Sequence, residues 1–159
     1  MGLSRDAIAA LIPHQGTMCL LEEVLYSDED TIVCRAVSHR DAGHPLRDED
    51  ILPAVCGIEY AAQAMAVHGA LMEKALEKAV EKVTDNQCGN ARGRGGMLAA
   101  ARNVVFNVER LGDIADDLIV SARKLLAEDG RLLYEFELHA SGRELVRGRA
   151  AVVLAAGGA

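Results

Sequence analysis

The chain has 159 residues, half of them apolar, a net charge of −7 and aromatic rings at only 3 % of positions. That length gives one ordinary domain with a substantial core, and the composition excludes a disordered chain. The acidic balance argues against nucleic acid, because phosphate contacts need a basic face, and is compatible with small-molecule substrates.

In chain order, an amphipathic turn around Arg5 to Leu11 leads into Ile12-Pro13-His14. Met18 to Leu25 and Thr31 to Ser38 read as strands, separated by the polar turn Ser27-Asp28-Glu29-Asp30. Ser38 to Ile51 has no clear period and reads as an irregular loop carrying His39 and His44. Pro53 then opens a long helix, Ala54 to Val83, with Ile58, Ala62, Met65, Gly69, Met72, Leu76, Val80 and Val83 forming one apolar stripe. Its first half is rich in Ala and Gly and its second half in Glu and Lys, so the helix should start buried and end exposed.

Asp85 to Gly96 holds Gly89, Gly93, Gly95 and Gly96 and reads as a flexible loop. Val104, Phe106 and Val108 then alternate with polar residues, and Leu118 to Leu126 meets a hairpin signal at Glu128-Asp129-Gly130-Arg131. Leu132, Tyr134, Phe136 and Leu138 share one face, Ser141-Gly142-Arg143 turns again, and Leu145 to Leu154 closes the chain. This order predicts a single α+β domain over 1–159: an antiparallel sheet of about six strands wrapped around one long helix. One helix cannot cover both faces of such a sheet, so a second copy is expected against it, making at least a dimer.

Cys19, Cys34, Cys56 and Cys88 are widely spaced, with no CxxC pair, and read as reduced thiols without a metal. The N-terminus is too short and charged for a signal peptide, and no apolar run approaches the roughly 20 residues of a membrane span. The expectation is a soluble, cytoplasmic protein.

The chemistry centres on Glu59, one carboxylate in the first turn of a nearly apolar helix. Burying it costs several kcal/mol, by order of magnitude, unless a partner relieves it. Gln63, four residues on, shares its face. Free amides around Val55 to Ile58 give the helix start a partial positive charge suited to a developing oxyanion. His44 and His39 lie just upstream. A carboxyl group, an imidazole and amide donors suit proton transfer beside the carbonyl of an acyl thioester. The plainer alternative is that Glu59 only complements the helix dipole, worth about 0.3–1 kcal/mol. His14 reads as serving its local turn, His68 as packing or reaching solvent, and His139 as surface. The glycine-rich loop lacks a P-loop ending and does not read as a phosphate cradle; Arg92 and Arg94 could meet an acidic carrier but read first as solvated.

With these residues in view, the sequence resembles the hot-dog-fold 3-hydroxyacyl-[acyl-carrier-protein] dehydratases over most of its length. Ile12-Pro13-His14 followed by Cys19-Leu20-Leu21-Glu22-Glu23-Val24 is similar to that family's PH…LLVDRV opening. Gly43-His44-Pro45 resembles its GHFPG histidine loop, and Leu52 to Glu59 its FPGVLxxE motif, with Tyr60-Ala61-Ala62-Gln63 after it. The wording is closest to the dehydratase-like branch found with aryl polyene pigment pathways. The resemblance implies an obligate dimer that removes water from 3-hydroxyacyl chains on acyl carrier protein, with no metal or organic cofactor. It implies that His44 removes the C2 proton and that Glu59, from the other subunit, protonates the departing hydroxyl. It further implies that the Ala54 or Val55 amide holds the thioester oxygen and that Gln63 orients Glu59. Leu46 replaces a family proline and Ala54 a family glycine, which keeps His39 beside His44 as a candidate base. Two other functions fit the same residues: a hot-dog thioesterase in which Glu59 activates water, and a non-catalytic acyl-binding subunit of a heteromeric dehydratase.

Overall fold

A computed structural model describes residues 2–84 and 96–154. Cys88, Arg92, Arg94 and nearly all of the expected glycine-rich loop lie outside them. The elements are β1 (Leu3–Ser4), α1 (Arg5–Leu11), β2 (Glu23–Ser27), β3 (Thr31–Ala36), α2 (Gly57–Thr84), β4 (Gly96–Phe106), β5 (Leu118–Glu128), β6 (Arg131–Ala140) and β7 (Arg143–Leu154). The strands form one antiparallel sheet in the order β1-β2-β3-β5-β6-β7-β4. Pairing of β3 with β5 joins the strands before α2 to those after it, and the chain between them lays α2 across the sheet. This is the expected hot-dog arrangement, with seven strands because two residues at the N-terminus add an edge.

Ala54–Cys56 form a 3-10 turn that runs directly into α2, behind an extended Pro53. The first half of α2 (Tyr60, Ala61, Ala64, Met65, Val67) is buried in one cluster with Leu118, Val120, Tyr134, Phe136 and Leu138 of β5 and β6. Small residues make this close approach possible. A Cβ on Gly57 would stand 3.2 Å from Leu138 Cδ2 and 3.3 Å from Val146 Cγ2. Leu76, Val80 and Val83 on the second half are exposed, as the change in composition predicts.

Both hairpins on β6 turn through paired left-handed residues, Asp129 and Gly130 (φ 49° and 76°) and Ser141 and Gly142 (φ 50° and 75°). This is the two-residue geometry that matches the strand twist. The first long strand starts at Glu23, not Met18. Gly16–Met18 form a 3-10 turn, and Met18 and Leu20 give backbone groups to the Gln63 side chain instead of to a neighbouring strand. On β4 the expected alternation fails at Phe106, which is exposed. Register shifts at Leu98/Ala100 and Arg102/Val105, with Asn103 at φ 54°, re-aim the side chains of this edge strand.

His68 is buried in mid-helix, with Nε2 2.8 Å from the Asp28 carbonyl and Nδ1 2.7 Å from the Tyr134 hydroxyl. The carbonyl only accepts, so Nε2 carries the proton and Nδ1 accepts from Tyr134.

Candidate active site

Gln63 is the fixed point of the site. It is fully buried; its carbonyl accepts from the Leu20 amide at 2.9 Å, and its amide donates to the Met18 carbonyl at 2.8 Å and to Glu59 Oε1 at 3.2 Å. Its three partners leave one amide orientation. Gln63→Leu should cost about 1–3 kcal/mol for each buried backbone group left unpaired, read as a lower denaturant midpoint. An unchanged midpoint would mean that these bonds do not hold the 18–20 segment.

One turn earlier, Glu59 receives a second contact on the same oxygen. Nε2 of His14 lies 3.2 Å from Oε1, with the two side chains 29 % and 34 % exposed. Among the described residues Oε2 has no partner, so one carboxylate oxygen is held and the other presented. In the sequence alone His14 reads only as serving its local turn. Its signal was the Ile12-Pro13-His14 opening, whose role appears only once the chain folds back onto α2.

His44 is buried and bonded at both nitrogens. Leu46 N–H donates to Nδ1 at 3.0 Å, and Nε2 lies 3.1 Å from the Tyr60 hydroxyl. An amide donor at Nδ1 requires Nε2 to carry the proton. The chain of donation runs from His44 to Tyr60, from Tyr60 to Ser38 Oγ (2.7 Å) and from Ser38 to the Leu20 carbonyl (2.8 Å). Burial, then the charge of Arg47, lowers the His44 pKa and keeps the ring neutral. Burial pushes the Tyr60 hydroxyl up to about 12.

His39 is fully buried, with Nε2 2.9 Å from the Asp116 carbonyl and 3.1 Å from that of Ile114. Both partners are acceptors, so Nε2 donates to them and Nδ1, buried and without a partner among the described residues, is a bare acceptor. The irregular loop around it is ordered by Arg47, which donates to the carbonyls of His39, Asp41 and Asp50.

Of the two amides expected at the helix start, that of Ala54 is spent on the Glu109 carbonyl at 2.9 Å. Val55 is 56 % exposed, and its first-turn amide has no backbone partner beyond its own turn among the described residues. It borders an open groove of about 980 Å³ whose lining includes Pro53, Phe106, Arg110 and Arg143 but not Glu59. Burial, then the Glu59 charge, raises the Cys56 pKa, which favours the thiol form of this neighbour. Farther off, Glu137, His139 and Glu144 cluster, but Glu144 already accepts from Asn107 and pairs with Arg147, while His139 faces Glu137.

His39, His44 and His68 all have pKa values lowered from 6.5, chiefly by burial. The unfolded chain therefore takes up protons before the native state does, so stability falls as pH drops from about 6.5 through the lower native values. Thermal unfolding should show a plateau above about pH 7 and a falling midpoint toward pH 5. A midpoint that rises on acidification in that window would contradict it.

The description "ApeP dehydratase" belongs to the ApeP-like family model that matches residues 6–156. A chain of the dehydratase heterocomplex ApeI:P from Xenorhabdus doucetiae is 25% identical, with TM-score 0.77 over 97% of this chain and 92% of that one. The E. coli PaaI protein of the phenylacetic acid degradation operon shares the fold at 13% identity and TM-score 0.55, over 82% and 80% of the two chains. So does a hypothetical thioesterase with coenzyme A from Streptococcus pneumoniae, at 7% identity and TM-score 0.55, over 86% and 87%. A comparison with curated proteins finds no significant match.

Proposed function

Since this chain belongs to the ApeP-like dehydratase family, we propose that it removes water from a 3-hydroxyacyl thioester on acyl carrier protein, giving the trans-2-enoyl thioester in the cytoplasm. The observation that carries this reading is Glu59, in the first turn of α2, anchored through Oε1 and without a partner at Oε2 among the described residues. In the protonated form, Oε2 gives its proton to the C3 hydroxyl as the C–O bond breaks, releasing water. The C2 proton passes to an imidazole, the C–H electron pair becomes the new double bond, and the imidazole returns its proton to Glu59 through solvent. The Val55 amide takes the charge that develops on the thioester oxygen.

His44 is the imidazole assigned to C2. Its neutral ring suits a base, and its step needs the other tautomer, with Leu46 N–H turned off Nδ1 and Tyr60 released from Nε2. A second subunit joining at the unpaired edge of β4, where Met97, Val105 and Phe106 are exposed, would complete the site. That subunit is a second copy or a related chain, as the similarity to a member of a heterocomplex supports.

The engaged nitrogens of His44 favour one rival, a non-catalytic subunit that binds the acyl chain for an active partner. Incubation with 3-hydroxyacyl and enoyl carrier substrates, followed by mass spectrometry, separates the readings. Loss or gain of one water supports dehydration. Free acid would mean a thioesterase, and binding without turnover the passive subunit.

A further inference from the structure

We infer that His14 is the positioning residue of Glu59, holding Oε1 from a segment outside the helix so that Oε2 alone meets the substrate. This rests on the dehydratase reading for its kinetic consequence, but the pairing itself belongs to the folded chain. A carboxyl group gripped by one donor can pivot about that bond. Gln63 supplies one donor from α2 itself, and His14 supplies the other from a separate segment, 3.2 Å from the same oxygen. Two grips from separate segments on one oxygen restrain that pivot and decide which oxygen is free.

The His14 ring has no competing task. Its Nδ1 is buried with no hydrogen-bond partner among the described residues. Such atoms are few in native folds, and each calls for a reason. Here the reason is Nε2: it is the ring nitrogen that donates to Glu59, which leaves Nδ1 bare. Pro13 limits the backbone that enters the residue, and the Gln15 amide ties the turn by donating to the carbonyl of Ala9 at 3.1 Å. Each chain thereby brings its own imidazole to its own acid. The orientation of Glu59 is set in cis, whichever subunit supplies the C2 base.

The test compares His14→Leu with His14→Gln in the full-length protein, using a 3-hydroxyacyl carrier substrate. Leucine should lower kcat about 100-fold with KM within about twofold, because misplacing a reacting group costs rate more than binding. Glutamine, which restores a donor, should recover at least about a tenth of the parent kcat. Unchanged kcat in His14→Leu, a loss expressed in KM, or equal loss in both variants would overturn the assignment. A second measurement needs no turnover: ring-nitrogen NMR of labelled protein should show Nε2 protonated and Nδ1 bare, with the Nε2–H signal displaced in Glu59→Ala. A protonated Nδ1, or a signal indifferent to Glu59, refutes the pairing even if His14→Leu fails to fold. Absence of dehydration in the parent protein with the pairing intact would instead defeat the dehydratase reading.

Discussion

Glu59→Gln should abolish turnover, by about two to four orders of magnitude, and leave the melting temperature within a few degrees of the parent. Glutamine has the shape of the acid and keeps a carbonyl oxygen where Oε1 accepts from Gln63 and lies against His14. Its amide cannot deliver a proton to a leaving hydroxyl. The side chain is 34 % exposed, so the exchange removes no deeply buried charge and should not disturb folding. Steady-state kinetics on the purified variant, alongside circular dichroism, separates the two quantities. Activity within tenfold of the parent would show that Glu59 is not the acid.

The second large effect distinguishes the two upstream histidines. His44→Ala should lower kcat by about 100-fold or more, the usual contribution of a base in proton transfer. Because it also strips a partner from Tyr60, Tyr60→Phe is the control. It removes the hydroxyl that accepts from Nε2 and should leave turnover at or above the parent level, since the ring is then released from one of its two bonds. His39→Ala should act on stability instead. It leaves the Ile114 and Asp116 carbonyls without their donor, at about 1–3 kcal/mol for a buried unpaired group, or several degrees of midpoint for a domain of this size. Its kcat per folded molecule should persist. If both histidine variants kept full activity, elimination through an imidazole base at His39 or His44 would be wrong.

These outcomes follow from placements of different kinds. Glu59 and Gln63 were legible because they lie on one helix, where four residues make one turn and neighbours in space are neighbours in sequence. The helix and strands β5, β6 and β7 were legible for the same reason: a period of 3.6 or 2 is a local property of the chain, whereas bulges break the expected alternation on β4. The hairpins were readable from Asp129-Gly130 and Ser141-Gly142, because few residues tolerate positive φ. Less visible was the segment Met18 to Leu21, apolar enough to pass for a strand. It is held by the Gln63 side chain, a contact across more than forty residues that no local pattern encodes.

By itself the sequence determined an α+β domain with a long helix buried at its start, an acid in that helix's first turn and a glutamine one turn on. Only the tertiary structure decided which imidazole meets the acid, that the Ala54 amide is spent on Glu109 while Val55 is not, and that His39 and His44 are each committed to hydrogen bonds of their own. The division has one physical cause. Helix and strand periodicity is set by backbone geometry over a few residues, whereas hydrogen bonds between distant segments depend on how the sheet closes over α2, where ångström-scale shifts decide whether a donor reaches its acceptor.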